Sequence, residues 1–375
     1  MICIANGTVY TGKKEVLKDT DILIENGKIK AIGKNLKEKA ETVIDASGKA
    51  VLPGFIDGMS ELGLAMRRGE VRDNDEKCDP LTPHLKTLYA YDGDCVMEQA
   101  PYSYGITSVC ASPSHSNILG GQMAVFKTYG INPYKMLVKD EVAMKGSVSK
   151  SVKDAYGARN IMPMTKMGIF SALDKALKDA KEDEGKKRNE KNLALKKVLD
   201  QKMPLVMAAF DNTEIRSVVR ISEKYGIKPI LGLGFDLHEE DLDLADKIQG
   251  IVLGNLANGF NAINDKADLE AIYSFYKKGV PVCMATMGTG TNGKEGLLWN
   301  ATQMMQAARN ADDVLAMMTS DAAKMYGVAD RVGAIEEGLD ADIVIWSANP
   351  IETWQGAVEK VFINGEQIFA WGGNK

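Results

Sequence analysis

Groups able to exchange protons or hold ions are sparse in this chain, and their placement is informative. Only three histidines occur, His84, His115 and His238, so a His-rich metal site drawn from several strand ends is beyond its means. Two carboxylates stand close to expected strand ends: Glu61 in PGFIDGMSELG, and Asp236, two residues before His238 in LGFDLHEED. If Glu61, Asp236 and His238 converge they form an acid–base set, because burial raises a carboxyl toward neutrality and histidine titrates there unaided. Met59 and Glu61 are two apart, so on a strand both project from one face. A thioether is a weak ligand for hard or borderline cations, which leaves Glu61 as that pair's one donor. His84, in DPLTPHLKT, and His115, in SPSHSNILGGQ, read as loop histidines, whereas His238 opens a helix and can line a pocket.

Other chemistries are poorly served. The five cysteines, Cys3, Cys78, Cys95, Cys110 and Cys283, are odd in number and lack paired spacing, which fits reduced thiols rather than a disulfide framework or zinc finger. Two Gly-rich segments, NILGGQ (Asn117–Gln122) and TMGTGTNGKEG (Thr286–Gly296), lack the spacing and the Lys-Ser/Thr of a phosphate-binding loop and read as barrel loops. The net charge of -5 is spread over interspersed acids and bases, so no basic face points to nucleic acid or an anionic membrane. The N-terminal residues carry no leader pattern and no run nears ~20 apolar residues, so a soluble, cytoplasmic protein is expected.

The elements that must position these groups fall into two grammars. Ile2 to Val9, Asp21 to Glu25 and Lys28 to Ile32 alternate in polarity and are punctuated by Asn6-Gly7 and Asn26-Gly27, a strong hairpin signal because both central residues of a type I′ turn need positive φ. From about residue 53 to 330 short apolar strands (106–110, 205–209, 229–233, 250–253 and 280–286) alternate with helical patterns (213–225, 268–278 and 301–308). Such repetition predicts a largely parallel sheet covered on both faces and, at this length, a closed barrel. After Val332 the pattern returns to strands at 342–346, 358–363 and 367–369, with Asn364-Gly365 as a turn. The charged stretch 175–202 reads as a solvated helix–loop–helix.

Two stretches, ILIENGKIKAIG with VIDASGKAVLPGFIDG and then TSDAAKMYGVADRVGAIEEGLDADIVIW, resemble the barrel entry and exit of the amidohydrolase superfamily, particularly its imidazolonepropionase-like and prolidase-like branch. In that superfamily Pro-Gly-Phe-Ile-Asp runs into His-x-His, whose histidines hold a catalytic divalent ion. The resemblance places Met59 and Glu61 there, Ala208 and Phe210 at the fifth-strand ligand positions, Leu233 at the sixth and Met287 at the eighth-strand aspartate. For the carboxylated lysine that some members carry on the fourth strand, Lys145 and Lys127 both qualify. Met59, Met207, Met284 and Met287, on or beside these strands, would suit soft Cu(I), but methionine more simply fills a site vacated by polar groups.

The expected fold is therefore α/β: a (β/α)8 TIM barrel over 53–334 with a small composite β-sandwich from 1–52 and 335–375. The expected role is that of a metal-free, catalytically degenerate structural or regulatory subunit without cofactor, either a homo-oligomer or a complex with an active amidohydrolase relative. Two other readings stand beside it. One is a hydrolase of carbon–nitrogen bonds in non-peptide or cyclic amides, using Glu61, Asp236 and His238 with at most a single weakly bound divalent metal. The other is a small-molecule binding protein that uses the same pocket.

Overall fold

The computed structural model describes residues 1–64, 72–254, 256, 267–287 and 293–372. Eight strands follow one another around a barrel in chain order: β1 (Phe55–Ser60), β2 (Ile106–Ala111), β3 (Leu119–Lys127), β4 (Leu137–Ser147), β5 (Leu205–Ala209), β6 (Ile230–Leu233), β7 (Gly250–Leu253) and β8 (Val282–Met284). All neighbouring pairs are parallel except those of β3, which runs antiparallel to both β2 and β4. The NILGGQ segment thus enters a strand at Leu119 instead of forming a loop throughout. Gly121 is required there, because its φ is +135° and a Cβ would lie 2.7 Å from the Leu85 carbonyl oxygen.

Every barrel strand sends at least one side chain into a single fully buried interior cluster: Ile56, Cys110, Val125, Ala143, Val206, Ile230, Val252 and Cys283. The interior is a packed core and not a pore. Its floor is closed by Ala322, Met325 and Tyr326, the last donating its hydroxyl hydrogen to the Gly58 carbonyl at 2.6 Å. Helices cover the outside. After β5, Asn212–Lys224 starts with a reciprocal capping box between Asp211 and Glu214 and buries Ile215, Val218, Val219 and Ser222, one stripe at helical spacing. The charged stretch forms helices Lys166–Glu182 and Glu190–Leu199, the first buried along Ile169, Leu173, Leu177 and Ala180.

Closure between β1 and β8 depends on a side chain. Asp57, fully buried, accepts from the backbone N–H of Thr286 at 2.9 Å and from the Thr286 hydroxyl, and Met287 N–H donates to the Met59 carbonyl at 3.0 Å. Burial pushes the Asp57 carboxyl up to about 6, against the hydrogen bonds from Thr286, Ser60 and the Met59 backbone that favour its charge.

Both chain ends join one eight-stranded sheet, in which Ile343–Trp346 pairs with Ala50–Pro53 and that strand in turn with Ile2–Tyr10. Its apolar face encloses Ile4, Ile22, Val51, Ile343 and Phe362, the small β-domain beside the barrel. Asn26-Gly27 and Asn364-Gly365 make the two hairpin turns, all four residues at positive φ. Asn6-Gly7 differs: it is an irregularity inside the strand Ile2–Tyr10, where the pairing with Val16–Glu25 shifts register. A Cβ on Gly7 would lie 2.6 Å from Val51 Cγ2, so glycine serves close packing there.

Lys127, at the C-terminal end of β3 and hence the barrel base, is buried against both chain ends. Its Nζ lies 3.0 Å from Asp340 Oδ2 and also pairs with Asp342, while Arg331 and Lys28 reach Asp340 at 2.8 and 2.6 Å. Burial alone would raise the Asp340 carboxyl, but Lys127, Lys28 and Arg331 together bring it below its ordinary 3.8. Lys127→Met leaves two buried carboxylates short of a cation and is expected to destabilise the fold by about 3–5 kcal/mol, measured by urea unfolding at pH 7. A depressed carboxyl gives stability present above its unfolded value and lost as pH falls through the folded one. The gap between wild type and variant should therefore narrow below about pH 4.

Candidate active site at the barrel mouth

At the C-terminal ends of the barrel strands the mouth divides into an apolar part and a polar part. Ala208, Leu233 and Phe235 form one cluster, with Met287 packed on it. Met287 also packs against the interior cluster that contains Met59. Met59, Ala208 and Leu233 are buried, while Phe210 is 37% exposed and stacks edge-on to Phe235. Leu233 and Met287 both adopt left-handed backbone, at φ 81° and 52°, a strained choice for residues with bulky side chains that only a fixed surrounding sustains. A Cβ on Gly254, at the end of β7, would lie 2.5 Å from Met287 Sδ and 2.8 Å from Phe235 Cζ. The plug therefore sits directly on that backbone.

The polar part is built by β1, β4 and the segment between β2 and β3. Lys145, on β4 in register with Val206 of the interior, is fully buried. Its Nζ is 2.9 Å from His115 Nδ1 and 3.0 Å from the Gly146 carbonyl oxygen. Glu61, just beyond β1, pairs with Arg72. Burial drives the Lys145 amine down to about 7, partly resisted by the charge of Glu61. Burial, with the nearby charges of Lys145 and Arg72, holds His115 well below the ordinary histidine range. Burial also raises Glu61, against the pull of Arg72. Three titratable groups whose environments shift them this way, at the mouth of a barrel, have the character of a functional cluster.

Of the two lysines that the sequence left open, Lys145 faces the mouth and Lys127 the base. Asp236 and His238 form a second group beyond β6: His238 Nε2 is 2.8 Å from Asp236 Oδ1, and Asp236 Oδ2 accepts from Asn212 N–H at 2.7 Å. Among the described residues no hydrogen bond or ion pair joins this group to Glu61, whose partner is Arg72. Asp236 and His238 have a helix-capping setting instead, with His238 N–H donating to Asp241 Oδ2 at 2.9 Å. His84 lies beside the connection between the helices Lys166–Glu182 and Glu190–Leu199. His115 and Arg72 carried no signal in the sequence, because nothing in SPSHSN or in the residues around Arg72 marks them as neighbours of a β4 lysine. The part of TMGTGTNGKEG at 288–292 lies outside the described residues.

Among the described residues the donors do not match a divalent ion of the kind the resemblance implies. Among the described residues no group of three or more His, Cys, Asp or Glu side chains is placed to hold one. Met59, Ala208, Leu233 and Met287 offer thioethers and hydrocarbon, poor partners for zinc or harder ions. No helix of the described residues is long and apolar enough to cross a membrane.

Residues 265–368 match the family model described as "Amidohydrolase family". Over 93% of its length the chain is 22% identical to a 5-methylthioadenosine/S-adenosylhomocysteine deaminase of Thermococcus sibiricus, of which the match covers 86%. The crystal structure of an amidohydrolase from Thermotoga maritima superimposes with a TM-score of 0.89 at 28% identity, covering 99% of this chain and 100% of that one. An adenosine deaminase from Xanthomonas campestris with bound zinc superimposes with a TM-score of 0.60 at 15% identity, covering 98% and 93%, a likeness of fold.

The site's electrostatics give two measurable outcomes. A buried lysine whose folded value lies near 7 takes up fewer protons than the unfolded chain from there to its ordinary 10.5, so its burial penalty is complete below the folded value and fades as pH rises. Lys145→Met should be more stable than wild type at pH 7, with the difference shrinking toward pH 10, as followed by denaturant titration. For His238, the hydrogen bond to Asp236 lifts its titration above 6.5. In proton NMR the His238 ring should titrate above the ordinary value and Asp236→Asn should return it toward that value, while the His115 ring stays neutral well into acid.

Proposed function

Because this chain belongs to the amidohydrolase superfamily, we propose that it is an active hydrolase of carbon–nitrogen bonds, working from the polar part of the barrel mouth. The observation that carries this reading is the contact of the buried Lys145 with the half-buried His115, beside the Glu61–Arg72 ion pair. It is supported by relatives named as deaminases that span most of the chain, since hydrolytic deamination breaks a carbon–nitrogen bond.

The division of labour follows from the chemistry of these groups. An amine that is half neutral near pH 7 is a base of suitable strength to take a proton from water as it attacks. His115, neutral and in hydrogen-bond contact, is the next station for that proton on its way to the departing nitrogen. Arg72, paired with Glu61, brings a positive charge that acts on His115 and is the natural partner for a developing oxyanion. The apolar wall of Leu233, Phe235 and Met287 suits a flat or cyclic substrate body and lowers the local dielectric, which strengthens these interactions. No step is routed through a metal, for which the donors do not fit. Asp236 and His238 enter only as the support of their helix start.

One observation favours a second reading. Met59, Ala208, Leu233, Phe235 and Met287 fill much of the mouth, which suits a structural or regulatory subunit, as a homo-oligomer or beside an active relative. The two readings separate in one experiment. The purified protein is assayed on aminopurine nucleosides, lactams, cyclic imides and N-acyl amino acids, as isolated, after chelation and with added zinc or manganese. Hydrolysis that survives chelation and falls by about a hundredfold or more in Lys145→Met and in Glu61→Gln is the expected result. Absence of turnover throughout, with co-purification of a second barrel protein from the native cell, would establish the subunit reading in its place.

A further inference from the structure

Two tryptophans close in sequence are treated oppositely by the fold. Trp346, on the strand that pairs with Ala50–Pro53, is buried against Phe55, with ring centres 5.6 Å apart. Trp354, in the connection that follows that strand, is 80% exposed. Its ring lies 6.3 Å from that of Trp299, tilted by 55°, and Trp299 is itself 42% exposed. The pair joins two units of the fold, since Trp299 stands on the helix after β8, Gly293–Ala308, and Trp354 belongs to the β-domain. Neither ring owes its exposure to a loose support. The helix buries Leu297, Ala301, Met304 and Ala308 at helical spacing, which turns Trp299 and Gln306 outward. The connection 347–357 is tied to itself: the Ser347 hydroxyl donates to the Gln355 carbonyl at 2.8 Å and accepts from the Ala357 N–H at 2.9 Å, and Asn349 Oδ1 accepts from the N–H of the buried Ile351 at 3.0 Å.

We propose that this face is the interface of a homodimer, in which the Trp299–Trp354 pairs of two copies pack across a two-fold axis. Its charge is what selects the occupant. From Gly296 to Ala308 the helix carries no charged residue, and from Ser347 to Ala357 only Glu352 is charged, in a chain with 46 basic and 51 acidic residues. Such a face has little charge with which to choose a partner of opposite sign, and it meets its own copy with little like-charge repulsion. A two-fold interface asks for nothing more than one self-complementary patch. The area agrees. At about 250 Å² for a whole tryptophan, the two rings leave roughly 300 Å² of aromatic surface in water, about a third of the ~800 Å² that each partner of a stable complex covers. Tryptophan held at the centre of an uncharged patch is also the residue most often found to dominate binding. The helix lies outside the barrel wall, so this pairing holds whether or not the mouth is catalytic.

The test is analytical ultracentrifugation of the intact protein over a dilution series from about 100 to 0.1 μM, with tryptophan emission read on the same samples. The protein should sediment at twice the mass of the chain and dissociate on dilution. The emission maximum should move to longer wavelength in step, because the two rings return to water. Trp354→Ser and Trp299→Ser should each raise the dissociation constant by about thirtyfold or more, the range of an interface hot spot. Circular dichroism should show both variants folded. Met167→Ser is the control: Met167 is equally exposed, on the helix Lys166–Glu182 between β4 and β5, half-way round the barrel, and its loss should leave the dissociation constant unchanged. A chain that stays monomeric throughout overturns the proposal, and so does a dimer whose dissociation constant is the same in both folded tryptophan variants. Emission that shifts on addition of lipid vesicles or an oligosaccharide to a monomeric protein assigns the pair to that ligand and overturns it as well.

Discussion

A buried carboxylate closes this barrel. Among the described residues no strand ladder joins β1 to β8; Asp57, which takes the Thr286 amide and hydroxyl, and the Met287 amide bonded to the Met59 carbonyl hold the two ends together. Hydrogen bonds to a carboxylate in a low-dielectric interior are strong, and a carboxylate without them would be expelled or protonated. The mouth inherits its geometry from this seam. The backbones of Met59 and Met287 are bonded across it, and Glu61 follows two residues after Met59, where its charge acts on Lys145 of β4.

The two halves of the mouth obey one rule in opposite ways. Where side chains carry no polar atoms, as at Ala208, Leu233, Phe235 and Met287, burial is favourable through removal of apolar surface from water, enough to sustain left-handed backbone at Leu233 and Met287. Where polar atoms are buried, each must find a partner. Glu61 finds Arg72. Lys145 finds a histidine and a carbonyl, neither of which stabilises an ammonium as a carboxylate does, so the proton itself becomes the adjustable element.

Lys127 and Lys145 show how far environment outweighs residue type. They lie on adjacent strands, both fully buried, yet one is clamped between Asp340 and Asp342 and the other sits against His115. The first joins the barrel base to the sheet formed by the chain ends. The second is left with chemistry. The reversal of β3 separates them: running antiparallel, that strand ends at the base, whereas β4 ends at the mouth.

Much of this architecture was legible in the residues. Alternating polarity around Asn26-Gly27 and Asn364-Gly365 specifies hairpins, because few residue pairs accept two consecutive positive φ angles. The short apolar runs at Leu205–Ala209 and Gly250–Leu253 specify covered strands, because only such strands exclude polar residues from both faces. Type and spacing also place Met59 and Glu61 on one face, and the family segments place Ala208, Leu233 and Met287 at strand ends. The direction of β3 was not legible, since parallel and antiparallel strands differ in partner and not in local pattern. Nor was the bulge at Asn6-Gly7, where pairing of the strand with Val16–Glu25 on one side and with Thr42–Asp45 and Ala50–Pro53 on the other overrode a turn-forming dipeptide. Above all, sequence alone did not bring His115 and Arg72, from two separate loops, to Lys145 and Glu61. Those contacts, and the desolvation that shifts the amine, exist only once the barrel has closed, because burial is a property of the assembled fold and of no residue by itself.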